Sequence, residues 1–252
     1  MAETLLNPFR VREKELLLNH LEFLRTHRGR VRLIDEAWCI ESEKNEFTFA
    51  IPDCSSSVPA LVSRYGRFYL KPSCLKFETE LLSMGFKEKG GVNYLSLPTE
   101  DGGWQINSSI EVKRASTIKD FESFSEIQSK GFCESEEEYE EWKPFLHKAN
   151  LKNFSNASQN FYIAYTDKKP VGVAIALFHK PLTGIYAVTT LPGFRRQGVS
   201  TALLNEIWKD SSHRGIEMLT LQASHGSYAE FFYQRLGFKS SFLVKIMSRE
   251  KL

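Results

Sequence analysis

The sequence predicts an α+β fold in two parts, the first smaller than the second, and three observations predict it. From residue 110 onward the periodicities run strand, two helices, three strands, helix, strand, helix, strand. Three consecutive β-rich runs there are joined by short polar turns, the signature of an antiparallel meander. Between the halves lies TEDGGWQINSS, Thr99 to Ser109, which is polar, contains glycine and has no period. It sets the boundary, giving a domain over 1–105 and another over 106–252.

In order, RVREKELLLNHLEFLRTH (10–27) reads as a helix with Leu17, Leu21 and Leu24 on one face. VRLI, AWCIES and EFTFAIP are short β-like runs, SVPALVSRYG a short helix and RFYLKP a strand. CLKFETELLSMGF is a helix stopped by Gly85, and VNYLSLP closes the half as a strand. IEVKRA opens the second half, and Thr117 with Asp120 marks the start of a helix that buries Phe121, Phe124 and Ile127. CESEEEYEEWKPFLHKAN is a second helix. The meander follows: QNFYIAYTD, PVGVAIALFHK and GIYAVTTL, turned by TDKKP and HKPLTG. The helix from Gly198 to about Asp210 buries Val199, Ala202, Leu203 and Ile207. It leads to IEMLTLQAS, expected parallel to GIYAVTTL by the right-handed crossover. SYAEFFYQRLGF is a helix ended by Gly237, and SFLVKIMS the last strand. One echo links the halves: a helix, Met/Leu-Gly-Phe-Lys and a strand occur at Met84–Lys87 and at Leu236–Lys239. Duplication and a common helix ending both explain it.

Composition narrows the partners. Hydrophobic residues are 42% and charged ones 25% of 252, the balance of a globular domain. A net charge of +2 gives no bulk attraction to nucleic acid or a membrane surface. No apolar run is long enough to span a bilayer, and the start MAETLLNPFRVREKELL puts charges where a signal peptide needs an apolar core. Cys39, Cys54, Cys74 and Cys133 are widely spaced and form no metal or redox pair in sequence, so free thiols and a cytoplasmic location are expected.

The chemistry concentrates in TTLPGFRRQGVSTALLNEIW, Thr189 to Trp208. A strand ends, a basic loop follows and a helix starts at Gly198. A helix start exposes amide hydrogens without internal partners and carries about half a positive charge. Gly198 permits close approach of an anion, Arg195 and Arg196 add charge, and Ser200 and Thr201 add hydroxyls. The three-glycine dinucleotide fingerprint and the Lys-Ser/Thr phosphate loop are both missing. A helix that merely begins at a glycine after a basic loop explains the stretch equally well.

With its neighbours the stretch resembles the GNAT N-acetyltransferase superfamily. The family's Arg/Gln-x-x-Gly-x-Gly/Ala is matched by Arg195-Arg196-Gln197-Gly198-Val199-Ser200. AVTTLPGF resembles its central strand, and FFYQRLGF its late helix ending Gly-Phe. The resemblance covers residues 110–250 in element order as well. Ser200 departs from the small residue expected there, and SHGS stands where an asparagine is often found. Ser224, His225 or Ser227 is therefore a candidate for the missing contact.

The resemblance implies a mixed, mostly antiparallel twisted sheet flanked by helices, and acetyl-coenzyme A as co-substrate without a metal. Two parallel strands, GIYAVTTL and IEMLTLQAS, would splay at a bulge. Val188, Thr189 and Thr190 would line the pantetheine arm, and Arg195, Arg196, Gln197, Gly198, Val199, Ser200 and Thr201 the pyrophosphate. Tyr233 would protonate the departing thiolate, though an ordinary core aromatic is the plain alternative. The acceptor would be an amine of a small molecule or peptide. Glu217, Glu230, His213 and His225 are candidates for a general base but read as surface charges or solvent-facing rings, so no base is assigned. Six carboxylates between Glu134 and Glu141 suit an acidic acceptor rim or a solvated helix start. The first half lacks the cofactor motif, so one cofactor per chain is expected, and that half is a degenerate GNAT-like lobe or a separate α+β domain. A non-catalytic coenzyme A-binding regulator and a purely structural pair of lobes are the competing functions.

Overall fold

A computed structural model of the chain describes residues 13–249. Its elements are α1 (Glu13–His27), β1 (Arg30–Ile34), β2 (Ala37–Glu41), β3 (Phe49–Ile51), α2 (Val58–Val62), β4 (Arg67–Leu70), α3 (Phe77–Ser83) and β5 (Lys87–Pro98). Then come β6 (Ile110–Arg114), α4 (Ile118–Phe132), α5 (Glu136–Asn153), β7 (Gln159–Thr166), β8 (Lys169–His179) and β9 (Leu182–Thr190). The last four are α6 (Val199–His213), β10 (Met218–Ser224), α7 (Tyr228–Arg235) and β11 (Lys239–Ser248). The element order is the one expected; the first three positions of the 10–27 helix lie outside the described residues.

Among the described residues all eleven strands belong to one sheet, in the order β1-β2-β3-β4-β11-β5-β10-β9-β8-β7-β6. The pairs are antiparallel except β3–β4 and β9–β10. The meander β7-β8-β9 and the parallel return through α6 match the periodicity and crossover reading. Hydrogen bonding crosses the 105/106 line, however. β5 pairs with β10 from Met218↔Pro98 to Ser224↔Val92, and β11 sits between β5 and β4. The Thr99–Ser109 segment is pinned as well: Trp104 N–H donates to Asn205 Oδ1 at 3.0 Å, and Trp208 Nε1–H to the Thr99 carbonyl at 2.7 Å.

Helices cover both faces. α1 and α4 bury Phe23, Phe124 and Ile127 against Phe161, Ile163, Val173 and Ile175 on one face, and α6 and α7 bury Leu203, Ile207 and Tyr233 against Leu219, Leu221 and Ile185 on the other. Each fully buried Phe or Ile contributes about 1.5–3 kcal/mol relative to exposure. Thr117 and Asp120 form a reciprocal capping box at the start of α4, as their spacing predicted.

One local reading changes. The run Glu46–Pro52 is not one strand: Asn45–Phe47 is a 3-10 turn, and the Phe47 ring packs on Trp142 and Phe145 of α5. Cys39, Cys54, Cys74 and Cys133 are free thiols, and Cys54 Sγ and Cys74 Sγ, twenty residues apart, lie 3.9 Å from each other.

Candidate active site

The site begins where two parallel strands separate. β9 and β10 pair over Leu182–Gly184 and Met218–Thr220 and no further. On the other side of β9 the register with β8 jumps from Val173↔Thr189 to Ile175↔Tyr186, so β9 carries an extra residue across Ala187 and Val188. Ala187 takes φ +54°, in the left-handed region. This is a β-bulge, and a bulge bends its strand. β9 therefore swings away from β10, leaving Val188 to Thr190 beside an open cleft.

The far end of that cleft is the mouth of α6. Arg196 (φ +62°) and Gly198 (φ +90°) both adopt left-handed conformations, which turn the loop abruptly into the helix. Gly198 is favoured by its φ and not by crowding, since a Cβ there meets its nearest neighbour, Asn107, at 3.6 Å. No side chain caps the helix, and its first turn holds no acid. The amides of Val199, Ser200 and Thr201 lie in that first turn, where no intrahelical acceptor exists. Thr190 Oγ1 and Ser200 Oγ are 3.0 Å apart and tie the end of β9 to the helix.

Strand cleft and helix mouth form one cavity of about 670 Å³. It is within the size range of small-molecule and cofactor sites. Its lining contains Val188, Thr189, Thr190, Arg195, Arg196, Gly198, Val199, Ser200, Thr201 and Tyr233, that is, every expected site residue except Gln197. The Gln197 side chain turns back to donate to the Gly193 carbonyl at 3.1 Å, and the Gln197 backbone carbonyl accepts from Asn107 Nδ2. Three arginines, Arg195, Arg196 and Arg235, line the cavity together with no carboxylate. Among the described residues none of the three has an acidic partner within ion-pair range. Arg195 Nε–H donates to the Thr190 carbonyl at 3.3 Å, and the wall is cationic, which suits a polyanion.

Tyr233 reaches the cavity from α7, 8% exposed, beside Phe232 and Phe238. Burial pushes its phenol well above the ordinary tyrosine range. The hydroxyl accordingly keeps its proton at physiological pH, the state a proton donor requires.

Other expectations need revision. Ser227 is occupied as the N-cap of α7, accepting from the Glu230 amide, and none of Ser224, His225 and Ser227 lines the cavity. Glu230 is not a surface charge. It is 3% exposed and accepts from Asn93 Nδ2 at 2.6 Å and from the Gly226 amide. Desolvation raises its pKa, but the hydrogen bonds from Asn93 and Gly226 outweigh it, and the net shift is downward. Glu217, His213 and His225 are exposed, as expected. The acids from Glu134 to Glu141 are exposed too, and Glu136–Glu138 occupy the first turn of α5.

The sequence reading missed Gly131, Phe132, Phe194, Tyr228, Ala229, Phe232 and Arg235, which complete the lining. Gly131 is required by contact, because a Cβ there would overlap the Thr189 methyl. The exposed rings of Tyr228 and Phe132 at this mouth were the available signal, and only the assembled surface displays it.

Comparison with known proteins bears on the same region. Residues 133–245 match the family model described as an acetyltransferase (GNAT) domain. No curated protein matches the sequence. Among solved structures, the chain is similar to a GCN5-related N-acetyltransferase from Kribbella flavida, with a TM-score of 0.65, 12% identity, and 94% of this chain and 96% of that one covered. It is also similar to a tandem GNAT protein from the clavulanic acid biosynthesis pathway (TM-score 0.57, 11% identity, 92% and 87% covered). A third is a GCN5-related N-acetyltransferase from Sphaerobacter thermophilus (0.57, 15%, 73% and 59%). At these identities the structures speak for the fold.

Proposed function

We propose that this chain, whose residues 133–245 form a GNAT acetyltransferase domain, is an acyl-coenzyme A-dependent N-acyltransferase that moves acetyl from acetyl-coenzyme A to a primary amine. One observation carries the reading: a splayed parallel strand pair opens directly into a helix mouth with an unpaired, arginine-flanked first turn.

Acetyl-coenzyme A would supply an acyl group already activated as a thioester. The amides of Gly198 to Thr201, with Arg195, Arg196 and Arg235, would hold its diphosphate. The edge of β9 at Val188 and Thr190 would hold the pantetheine arm as an added strand, and a β9 amide would donate to the thioester oxygen. An alkylamine has a pKa near 10.4 and must shed a proton before attack, whereas the leaving thiol ionises near 8.5. Tyr233, held protonated by burial, would give its proton to the departing sulfur.

We treat residues 1–105 and 106–252 as two lobes of one unit that exchange β5 and β11. Local geometry supports the first as a degenerate counterpart of the second. Gly85 (φ +83°) and Gly237 (φ +96°) end α3 and α7 alike, and buried Phe86 and Phe238 follow them. One coenzyme A per chain is the consequence.

A second reading has its own support: among the described residues no imidazole or carboxylate lines the cavity, which suits a chain that binds coenzyme A without turning it over. Release of thiol from acetyl-coenzyme A in the presence of amines separates the two. Acceptor-dependent release supports transfer; binding without release supports the regulator.

A further inference from the structure

On the face of the sheet opposite α6 and α7, a second polar cluster lies where the strands part. Gly184↔Thr220 is the last β9–β10 pair. Two residues further along each strand, on the same face, are Tyr186 and Gln222. Gln222 stands opposite Tyr94 of β5, so the three form a row across β9, β10 and β5. α1 roofs the row. Tyr186 Oη–H donates to Asn19 Oδ1 at 2.6 Å, and His20 Nδ1 lies 2.6 Å from Tyr94 Oη. Gly184 makes room for this, because a Cβ there would overlap both Asn19 Oδ1 and the Tyr186 ring.

Asn19 Nδ2 and Gln222 Nε2 are buried and make no hydrogen bond within range among the described residues, the Gln222 amide facing the Tyr186 phenol. Buried polar groups in folded proteins are almost always bonded, so two such amides in one row point to an occupant that brings acceptors. Tyr94 Oη and His20 Nδ1 are hydrogen-bonded, the donor being set by the imidazole tautomer. Burial and the charge of Arg28 hold the His20 pKa down to about 3, so the ring is neutral. Arg28 itself lies 4.8 Å over the Phe47 ring and 5.5 Å over Phe23, and Phe23 stacks on Tyr186 at 3.8 Å. Among the described residues no carboxylate pairs with that guanidinium.

We propose that this row is the acceptor subsite and that it takes an α-amino acid, whose carboxylate is received by the Asn19 and Gln222 amides in the field of Arg28. The inference rests on the acyltransferase reading. The first lobe thereby contributes Asn19, His20 and Tyr94 to a site whose cofactor lies wholly against the second. Polyamines are disfavoured, since they offer no acceptor and bring a second positive charge.

The test measures thiol release at saturating acetyl-coenzyme A with paired acceptors: alanine against ethylamine, phenylalanine against phenethylamine, lysine against cadaverine. The amino acid of each pair is expected to exceed its decarboxylated partner at least about tenfold in kcat/KM, because a site built to bond a polar group rejects the analogue lacking it. Gln222→Glu, which replaces a donor by a carboxylate in a half-buried position, is expected to raise KM for the amino acid at least about tenfold with coenzyme A affinity unchanged. Asn19→Asp should do the same; if it does not fold, Gln222→Glu decides. Equal or faster turnover of the decarboxylated amines, no release with any amino acid, or an unchanged KM in Gln222→Glu overturns the proposal and leaves the acyltransferase standing. Failure of the wild-type chain to bind acetyl-coenzyme A removes both.

Discussion

Twice the chain runs from a strand through a helix into a parallel strand, as β3–α2–β4 and as β9–α6–β10, and the two helix mouths have opposite electrostatics. At the first, the protein's own carboxylates take two amides just ahead of the helix. Ser57 N–H donates to Asp35 Oδ2 and Cys54 N–H to Asp53 Oδ1, both at 2.7 Å. α2 has five residues and Pro59 in its first turn, so few amides remain to offer. Neither first turn holds an acid, but the second helix has fifteen residues and three arginines around its mouth. Shared topology does not make an anion site. The two mouths differ in helix length, in the carboxylates bonded just ahead of the first and in the arginines that line the second.

The largest effect should come from making the second mouth resemble the first. Gly198→Asp forces a side chain into a left-handed position and sets a carboxylate against the diphosphate. At about 4 Å and an effective dielectric near 20 that repulsion is about 4 kcal/mol, or roughly a thousandfold in affinity. Calorimetry should find coenzyme A binding abolished; unaltered affinity would place the phosphate elsewhere.

Next in size is Tyr233→Phe, which retains the buried ring and removes its proton. A drop of about a hundredfold in kcat with coenzyme A affinity unchanged is expected. Tyr233 has its pKa raised by burial, so it loses its proton as pH rises through a value above the ordinary tyrosine range. The wild-type rate should therefore fall on the alkaline side only beyond about pH 10, and the variant should lack that limb. An unchanged rate removes Tyr233 from the mechanism.

Arg235→Ala should weaken coenzyme A about tenfold, the size of one charge-assisted contact, and flatten the salt dependence of binding. An affinity and salt slope equal to wild type would mean Arg235 lines the cavity without touching the ligand. The smallest effect belongs to the first mouth. Asp35→Ala frees the Ser57 amide and should cost about 1 kcal/mol of stability by chemical denaturation, while titration still gives one coenzyme A per chain. A second equivalent would show that carboxylate plugging alone had silenced that mouth.

The second mouth is legible in the sequence. Arg195, Arg196 and Gly198 to Thr201 line one cavity because a strand, a short loop and a helix are contiguous in sequence, and local patterns encode local geometry. The capping box at Thr117 is legible for the same reason. What escaped depends on distant partners. β5 inserts beside β10 and β11 beside β4 through register, which periodicity does not specify. Asn19 meets Tyr186 across 167 positions, and Glu230 is buried by Asn93 across 137. Gln197 lies inside the motif, yet its side chain finds Gly193 first, a choice made by loop geometry that residue type does not reveal.

The claim under everything else is that the α6 mouth holds a diphosphate. A crystal structure of the chain soaked with coenzyme A tests it most directly. The account predicts diphosphate oxygens within hydrogen-bond distance of the amides from Gly198 to Thr201, with the pantetheine arm running along Val188 and Thr190. A coenzyme A diphosphate bound away from that turn, or the turn filled by the chain's own side chains, would contradict it.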